Sequence, residues 1–367
     1  MNEHKQIILF ESYPDFSGSP LEIYNELVKR GYEEKYDLVW AVYSNFNEKT
    51  NYKIVKFHGC DTQEKRNVLA RTKVIIDSNR YIQKPRPDVF RIHVRHGLTL
   101  KKCQKYYNDI GYLDAIITTS DEMLKIEEKA YPSYLKNKFI ITGMPTTDRL
   151  FHPNDLYNGF IQELTNNNIK YNKIISWLPT YREHRFSHFG KNKYEYGLTA
   201  LHNKLECDTL NNVLQNNNTL LIIQMHHAQA KNYQNLLKYS NIVVVNEPIK
   251  NKYLITTSDI LGNSDALLTD YSGAYQEYII LNKPIGLIIE DLVDYSKKVG
   301  FYLNYLEWIK GDYLLNNKDL INWVNDIANN IDKSKNERTE SLNKTHLYKD
   351  DKSTQRVVDY IISKTNL

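Results

Sequence analysis

Cysteine is scarce in this chain. Its three cysteines, Cys60, Cys103 and Cys207, are widely separated and show no paired spacing. Neither a disulfide framework nor a zinc site can be read from them, and a reducing cytoplasm fits. No apolar run approaches the roughly 20 residues of a membrane-spanning helix, so any meeting with a membrane is expected at its surface. Met1 to Gln6 are polar and lead straight into a strand-like run, so no signal peptide is expected. One-sided charge is also lacking. A net charge of +4 does not imply a nucleic-acid partner, yet it tolerates an anionic substrate or an anionic membrane surface.

What is present describes a globular protein. Charged residues make up 25% and hydrophobics 41%, which separates the chain from disordered sequences. Its 367 residues suggest two domains, each large enough for a core of its own. Many of the 29 tyrosines fall in lysine- and asparagine-rich stretches, which points to compositional bias.

Short apolar runs alternate with amphipathic segments. Strands are expected at Gln6–Phe10, Leu38–Val42, Val74–Ile76, Arg91–Val94, Ala115–Thr118 and Phe139–Ile141. A second set is expected at Ile174–Leu178, Leu220–Met225, Ile242–Val245, Ala266–Leu268 and Ile285–Ile289. Helices such as Pro20–Arg30 and Ala274–Leu281 fit between them. The pattern argues for an α/β protein with parallel sheets covered on both faces. It breaks between Phe151 and Asn172, with Pro153 and the run Asn166–Asn168. This divides the chain into an N-terminal Rossmann-like domain over 1–155, a second over 170–345 and a C-terminal helix over 346–367 that packs back on the body. Two doubly wound domains facing a cleft would bind ligands there. Leu320, Trp323, Val324 and Ile327 lie three and four apart and form one helical face.

Five loops carry candidate chemistry. The run Ala266–Glu277 reads as a buried strand, a Thr-Asp-Tyr-Ser-Gly turn and a helix start capped by Ser272. The free N–H groups of such a start can seat a phosphate. Gly273 would let the ligand approach, and Glu277 could accept hydrogen bonds from ribose hydroxyls. The same pattern also serves as an ordinary strand–turn–helix connection. In the run Arg91–Lys102, strand alternation puts His93 and Arg95 on one face and His96 at the strand's carboxyl end. There a histidine is either a general base or a surface residue of a loop. Lys101, Lys102 and Lys105, beside Tyr106 and Tyr107, either form a solvated face or hold a polyanion or lipid head groups. His226 and His227 follow another buried strand. They lack adjacent further ligands, so a hydrogen bond to a phosphate is favoured over a metal. Arg182 is either a phosphate fork or half of a structural ion pair. Ser17, Gly18 and Ser19 form an open turn before Pro20.

The order of these motifs resembles the CDP-glycerol glycerophosphotransferase family, which primes and polymerises teichoic acids and related capsules. The resemblance runs over nearly the whole chain. The segment Leu9–Pro20 is similar to the family's opening. Arg95–Lys102 resembles its Trp-His-Gly-x-x-Leu-Lys-Lys motif, with arginine in place of tryptophan. Leu178–Glu183 resembles Ala-Pro-Thr-Trp-Arg-Asp, Met225-His226 resembles Met-His-Pro, and Thr269–Gly273 resembles Thr-Asp-Tyr-Ser-Ser/Gly.

The resemblance implies a GT-B fold, a CDP-glycerol or CDP-ribitol donor, release of CMP and no metal or cofactor. It implies a lipid-linked polyanionic acceptor, a cytoplasmic enzyme peripheral on the inner membrane face, and no nucleic acid. By position it makes His96 the base and His226 a donor to the diphosphate. Arg182, Thr269, Asp270, Ser272, Gly273 and Glu277 would bind the donor, and Ser17, Gly18, Ser19, Lys101 and Lys102 the acceptor. The rival readings are a sugar-nucleotide glycosyltransferase on the same fold and a non-catalytic nucleotide-binding module.

Overall fold

The fold is taken from a computed structural model. It describes residues 5–43, 51–57, 61–98, 100–102, 107, 110–166, 169–180, 198–224, 233–245 and 247–367. The chain forms two compact units. The first holds residues 1–99, 103–148 and 344–367, and the second holds 100–102 and 149–343.

The first unit is built on seven parallel strands: β1 (Ile7–Phe10), β2 (Asp37–Val42), β3 (Lys53–Lys56), β4 (Thr72–Asp77), β5 (Phe90–His93), β6 (Ala115–Thr118) and β7 (Phe139–Ile141). Their order is β3-β2-β1-β4-β5-β6-β7. Every residue of β1 is buried, because helices cover both faces of the sheet and leave no solvent side for alternation. Strand order reverses between β1 and β4, and such a switch point opens a crevice at the strands' carboxyl ends. The helix Ser353–Thr365 belongs to this unit. It buries Val357, Val358 and Ile361, and Asp359 pairs with Arg30 at 2.5 Å, just past the helix Gly18–Lys29. Asp148 accepts hydrogen bonds from the N–H groups of Ser353 and Thr354 near the start of the terminal helix.

The second unit has six parallel strands: β8 (Lys173–Leu178), β9 (Thr219–Ile223), β10 (Ile242–Val244), β11 (Ala266–Thr269), β12 (Ile285–Ile288) and β13 (Asp312–Leu314). Their order is β10-β9-β8-β11-β12-β13, so the switch falls between β8 and β11. The expected face of Leu320, Trp323, Val324 and Ile327 is the buried face of the helix Asn317–Ala328. Trp323 lies so close to β12 that a Cβ at Gly286 would sit 2.9 Å from its ring, so only glycine fits there.

Two boundaries differ from the sequence reading. The first unit stops at Asp148 rather than near residue 155, and Leu100–Lys102 leaves it altogether. The Lys102 N–H donates to Gly300 O and the Tyr302 N–H to Leu100 O, both at 3.1 Å, which ties that short segment to the second unit.

Candidate active site

At the carboxyl ends of β4 and β5 lies a buried charge network. Asp77, the last residue of β4, accepts from Arg91 Nε and pairs with His93 Nδ1, each at 2.7 Å. Burial alone would push the Asp77 carboxyl up, but Arg91 and His93 hold it below the usual carboxylate range. Burial keeps His93 below its ordinary pKa despite Asp77, so the ring stays neutral. Arg91 also donates to the carbonyls of Ile110 (2.7 Å) and Tyr112 (3.2 Å), which fixes the loop before β6.

After His93 the backbone turns. Arg95 has φ 58°, in the left-handed region that disfavours a side chain. Its guanidinium is buried in an ion pair with Glu127, at the end of the helix Asp121–Glu127, and lies 5.5 Å from the Tyr131 ring centroid. This corrects the simple alternation expected for His93 and Arg95, because the strand ends at His93. With Arg95 anchored inward, His96 emerges exposed. Although the ring reaches the surface, the protein packed around it removes part of its water and lowers its pKa below the usual histidine value, so the imidazole is neutral and able to accept a proton near pH 7.

The loop after β1 is only partly open. Ser17 donates from its hydroxyl to Pro14 O at 2.5 Å, and its N–H donates to Ser12 Oγ at 3.0 Å. Gly18, at φ 66°, sits in the left-handed region that favours glycine, and a Cβ there would meet only the Pro20 ring, at 3.9 Å. Ser19 is completely buried, which corrects its assignment to the acceptor surface. Lys101 and Lys102 belong to the second unit.

In the second unit the β11 turn sits at the switch point. Thr269 donates from its hydroxyl to Leu178 O at 2.8 Å. The Asp270 carboxylate accepts from the Thr180 N–H (3.0 Å) and the Thr180 hydroxyl (2.6 Å). Tyr305 donates to Asp270 O at 2.7 Å, and Tyr271 donates to Asp291 at 2.8 Å while stacking on Tyr295. Thr269 and Asp270 are therefore buried behind the turn and shape it, rather than presenting their side chains to a donor.

The part of the turn that reaches solvent is Ser272, Gly273 and Ala274, all half-buried. Gly273, not Ser272, holds the N-cap position of the short helix Ala274–Tyr278. Ser272 instead accepts the Ala274 N–H on its Oγ at 3.3 Å. Among the described residues, the N–H groups of Ser272 and Gly273 have no hydrogen-bond partner. Gly273 has ordinary helical dihedrals, so its backbone does not itself require glycine. Glu277 is half-buried and already engaged within the protein. Arg182 and His226 lie outside the described residues. Among the described residues no cluster of histidine, cysteine, aspartate and glutamate could hold a metal ion, and no helix is long and apolar enough to cross a membrane.

Sequence reasoning missed Glu11, Asp77, Arg80 and Thr180. Each stands within three residues of a strand's carboxyl end, and that position was the available signal.

Comparisons with known proteins bear on the family and the fold. The profile of the family described as CDP-glycerol:poly(glycerophosphate) glycerophosphotransferase matches residues 1–363. A teichoic acid poly(glycerol phosphate) polymerase of Bacillus spizizenii is 26% identical over 362 residues, covering 89% of this chain and 84% of the relative. A teichoic acid glycerol-phosphate primase of Bacillus subtilis is 29% identical over 226 residues, covering 61% of this chain and 51% of the primase. This chain thus spans about half the length of that primase. Among solved structures, the wall teichoic acid polymerase TagF superposes with a TM-score of 0.74 at 20% identity, over 98% of this chain and 89% of that one. That likeness shows a shared fold of two Rossmann-like α/β units, the domain type of GT-B proteins. With a profile match over nearly its full length, the chain belongs to the CDP-glycerol:poly(glycerophosphate) glycerophosphotransferase family of transferases.

Proposed function

We propose that this chain moves glycerol phosphate from CDP-glycerol to a hydroxyl of a lipid-linked, teichoic-acid-like or capsule acceptor at the inner face of the membrane, releasing CMP. The observation that carries the reading is the β11 turn: two backbone N–H groups without a partner among the described residues, at a switch point, in a loop pinned by Asp270, Tyr271 and Tyr305. Fixed donors of this kind stabilise charge on a diphosphate without reorganising during the reaction.

In the proposed step an acceptor oxygen attacks the phosphorus that carries the glycerol. The new oxygen–phosphorus bond forms as the bond from that phosphorus to the CMP oxygen breaks in line. His96 takes the hydroxyl proton. CMP leaves without full protonation, because a phosphate monoester has a second pKa of about 6. By the motif resemblance, Arg182 and His226 support the diphosphate.

The test incubates the pure protein with CDP-glycerol, CDP-ribitol or a UDP-sugar and a panel of lipid-linked acceptors, following nucleotide release and product mass. CMP release from CDP-glycerol with a matching mass gain supports the reading. Turnover of the UDP-sugar alone, or nucleotide binding with no turnover on any acceptor, refutes it. His96→Ala is expected to lose a factor of about 10²–10⁴ in turnover while still binding CDP-glycerol. In the wild type the acid limb of kcat/KM is expected to have its midpoint below pH 6.5, because the desolvated imidazole stays neutral to lower pH. Near-normal turnover in H96A would remove His96 from the mechanism.

A further inference from the structure

Three loops converge at the carboxyl ends of β1, β2 and β4, and they meet on one side chain. The N–H groups of Ser78 (3.1 Å), Asn79 (3.0 Å) and Arg80 (3.0 Å), just past β4, all donate to the Glu11 carboxylate, just past β1. Those bonds fix the backbone from which Arg80 projects. The guanidinium carbon of Arg80 lies 4.5 Å from the ring centroid of Tyr13 and 4.5 Å from that of Tyr43. Tyr13 belongs to the loop after β1 and Tyr43 follows β2. The Tyr43 N–H donates to Asp15, which ties these two loops together.

Two aromatic rings hold the guanidinium in place, yet they attract its charge only weakly compared with a carboxylate. Among the described residues no aspartate or glutamate forms an ion pair with Arg80, although Arg30, Arg66, Arg71, Arg86, Arg91 and Arg95 all have one. Both oxygens of Glu11, at the base of these loops, are taken by backbone N–H groups. A half-buried, pre-positioned and acid-free guanidinium at a switch point fits an anion brought from outside. Its planar fork matches two oxygens of one phosphate group.

We propose that Arg80, held by Tyr13 and Tyr43, binds a phosphodiester of the acceptor chain and so places the growing end for attack. The assignment of that phosphate to the acceptor rests on the transferase reading above. A polyol-phosphate acceptor carries a phosphodiester one unit back from its terminal hydroxyl, so a subsite for that group would register the chain. Gly18, which ends the loop that carries Tyr13, has no side chain, and the nearest atom to where a Cβ would stand is a Pro20 ring carbon at 3.9 Å, so nothing crowds a polyol there.

The test is direct binding, independent of turnover. Wild type, Arg80→Gln and Arg80→Lys are titrated with synthetic tri(glycerol phosphate), with uncharged triglycerol and with inorganic phosphate. Replacing a charged, bidentate partner is expected to weaken tri(glycerol phosphate) binding about 10- to 150-fold in R80Q. R80K, which keeps the charge but not the fork, is expected to fall between and serves as the readout if R80Q does not fold. CDP-glycerol binding should be unchanged in both.

Equal binding of the probe by all three proteins, or no binding by wild type at millimolar probe, overturns the proposal. So does a loss that is the same for inorganic phosphate, which would make the site a general anion site. Arg80-dependent probe binding in a protein that releases no CMP with any acceptor would leave this site standing and refute the transferase reading instead.

Discussion

Glu11 is buried completely, and its carboxyl is pushed up to about 7, first by desolvation and then by the negative charge of Asp77. The three backbone N–H donors of Ser78, Asn79 and Arg80 pull the other way without winning. A carboxyl whose pKa is higher in the folded than in the unfolded chain keeps its proton where the unfolded chain has lost it. Its contribution to stability is therefore complete below about pH 4.5 and is lost as the pH rises through about 7. A shift of roughly 2.5 units, at about 1.4 kcal/mol per unit, corresponds to about 3 kcal/mol. Glu11→Gln is neutral throughout and removes this dependence. It also adds a constant penalty, since its amide nitrogen must face a backbone N–H donor. The charged and titratable groups around the site (Asp15, Tyr43, Asp77, Arg80 and His93) are the same in both proteins, so the difference between them isolates Glu11.

The assay is urea unfolding from pH 4.5 to 8, with hydrogen exchange of peptides covering β1 and β4 reporting on the first unit alone. The stability of wild type relative to E11Q is expected to fall by about 3 kcal/mol across that range, most steeply between pH 5 and 7. A difference that stays flat with pH would show that Glu11 is ionised in the folded protein like any exposed glutamate, and the burial argument would fail.

Two further substitutions test how the site is held. Asp270→Asn is expected to destabilise the second unit by about 3–5 kcal/mol, on the order of 10 °C in its melting temperature, because an amide NH₂ would face the Thr180 donors; a melting temperature within a degree of wild type would refute the pinned-turn account. Glu127→Gln leaves the buried Arg95 cation without its partner and is expected to cost about 3–5 kcal/mol in thermal or urea unfolding, whereas the double change Arg95→Met with Glu127→Met should cost less than half of that. A double variant as unstable as the single one would show that packing, not charge, sets the cost.

The central strands were legible because both their faces are covered. β1, β6 and β11 are buried at every residue and read as apolar runs, the last two ending in a threonine. The two strands missed are edges. β3 (Lys53–Lys56) and β13 (Asp312–Leu314) bury one residue each, so neither alternation nor an apolar run marks them. The position of His96 past a strand end was legible, but the left-handed turn at Arg95 that exposes it was not. It depends on Glu127, which is 32 positions further along the chain and shows no local pattern. The same is true of Leu100–Lys102. A lysine pair after a glycine reads as a loop, and only the non-local bonds to Gly300 and Tyr302 place it in the second unit. At the β11 turn, local rules put Ser272 at the cap. The buried anchors of Asp270 and Tyr271 set the turn instead, and the cap moved one residue on.

The two units share one construction at their switch points. In the first, a carboxylate just past β1 takes the N–H groups of the loop after β4. In the second, a carboxylate just past β11 takes the N–H of the residue two places past β8. In each case the pair bridged is the pair of neighbouring strands between which the order reverses. Loops diverge at such a point, because their helices leave toward opposite faces of the sheet, and backbone N–H groups there have no strand partner. An internal carboxylate satisfies some of them and closes the base of the crevice. Beyond it stand the groups proposed to meet a ligand: the N–H groups of Ser272 and Gly273 in one unit, and the Arg80 guanidinium between its two tyrosine rings in the other. The buried acid in each crevice therefore works as a positioning residue. Its removal should be felt at the ligand-binding groups one or two residues away even though it touches no ligand, and this is why the E11Q and D270N proteins should be assayed for probe and CDP-glycerol binding as well as for stability.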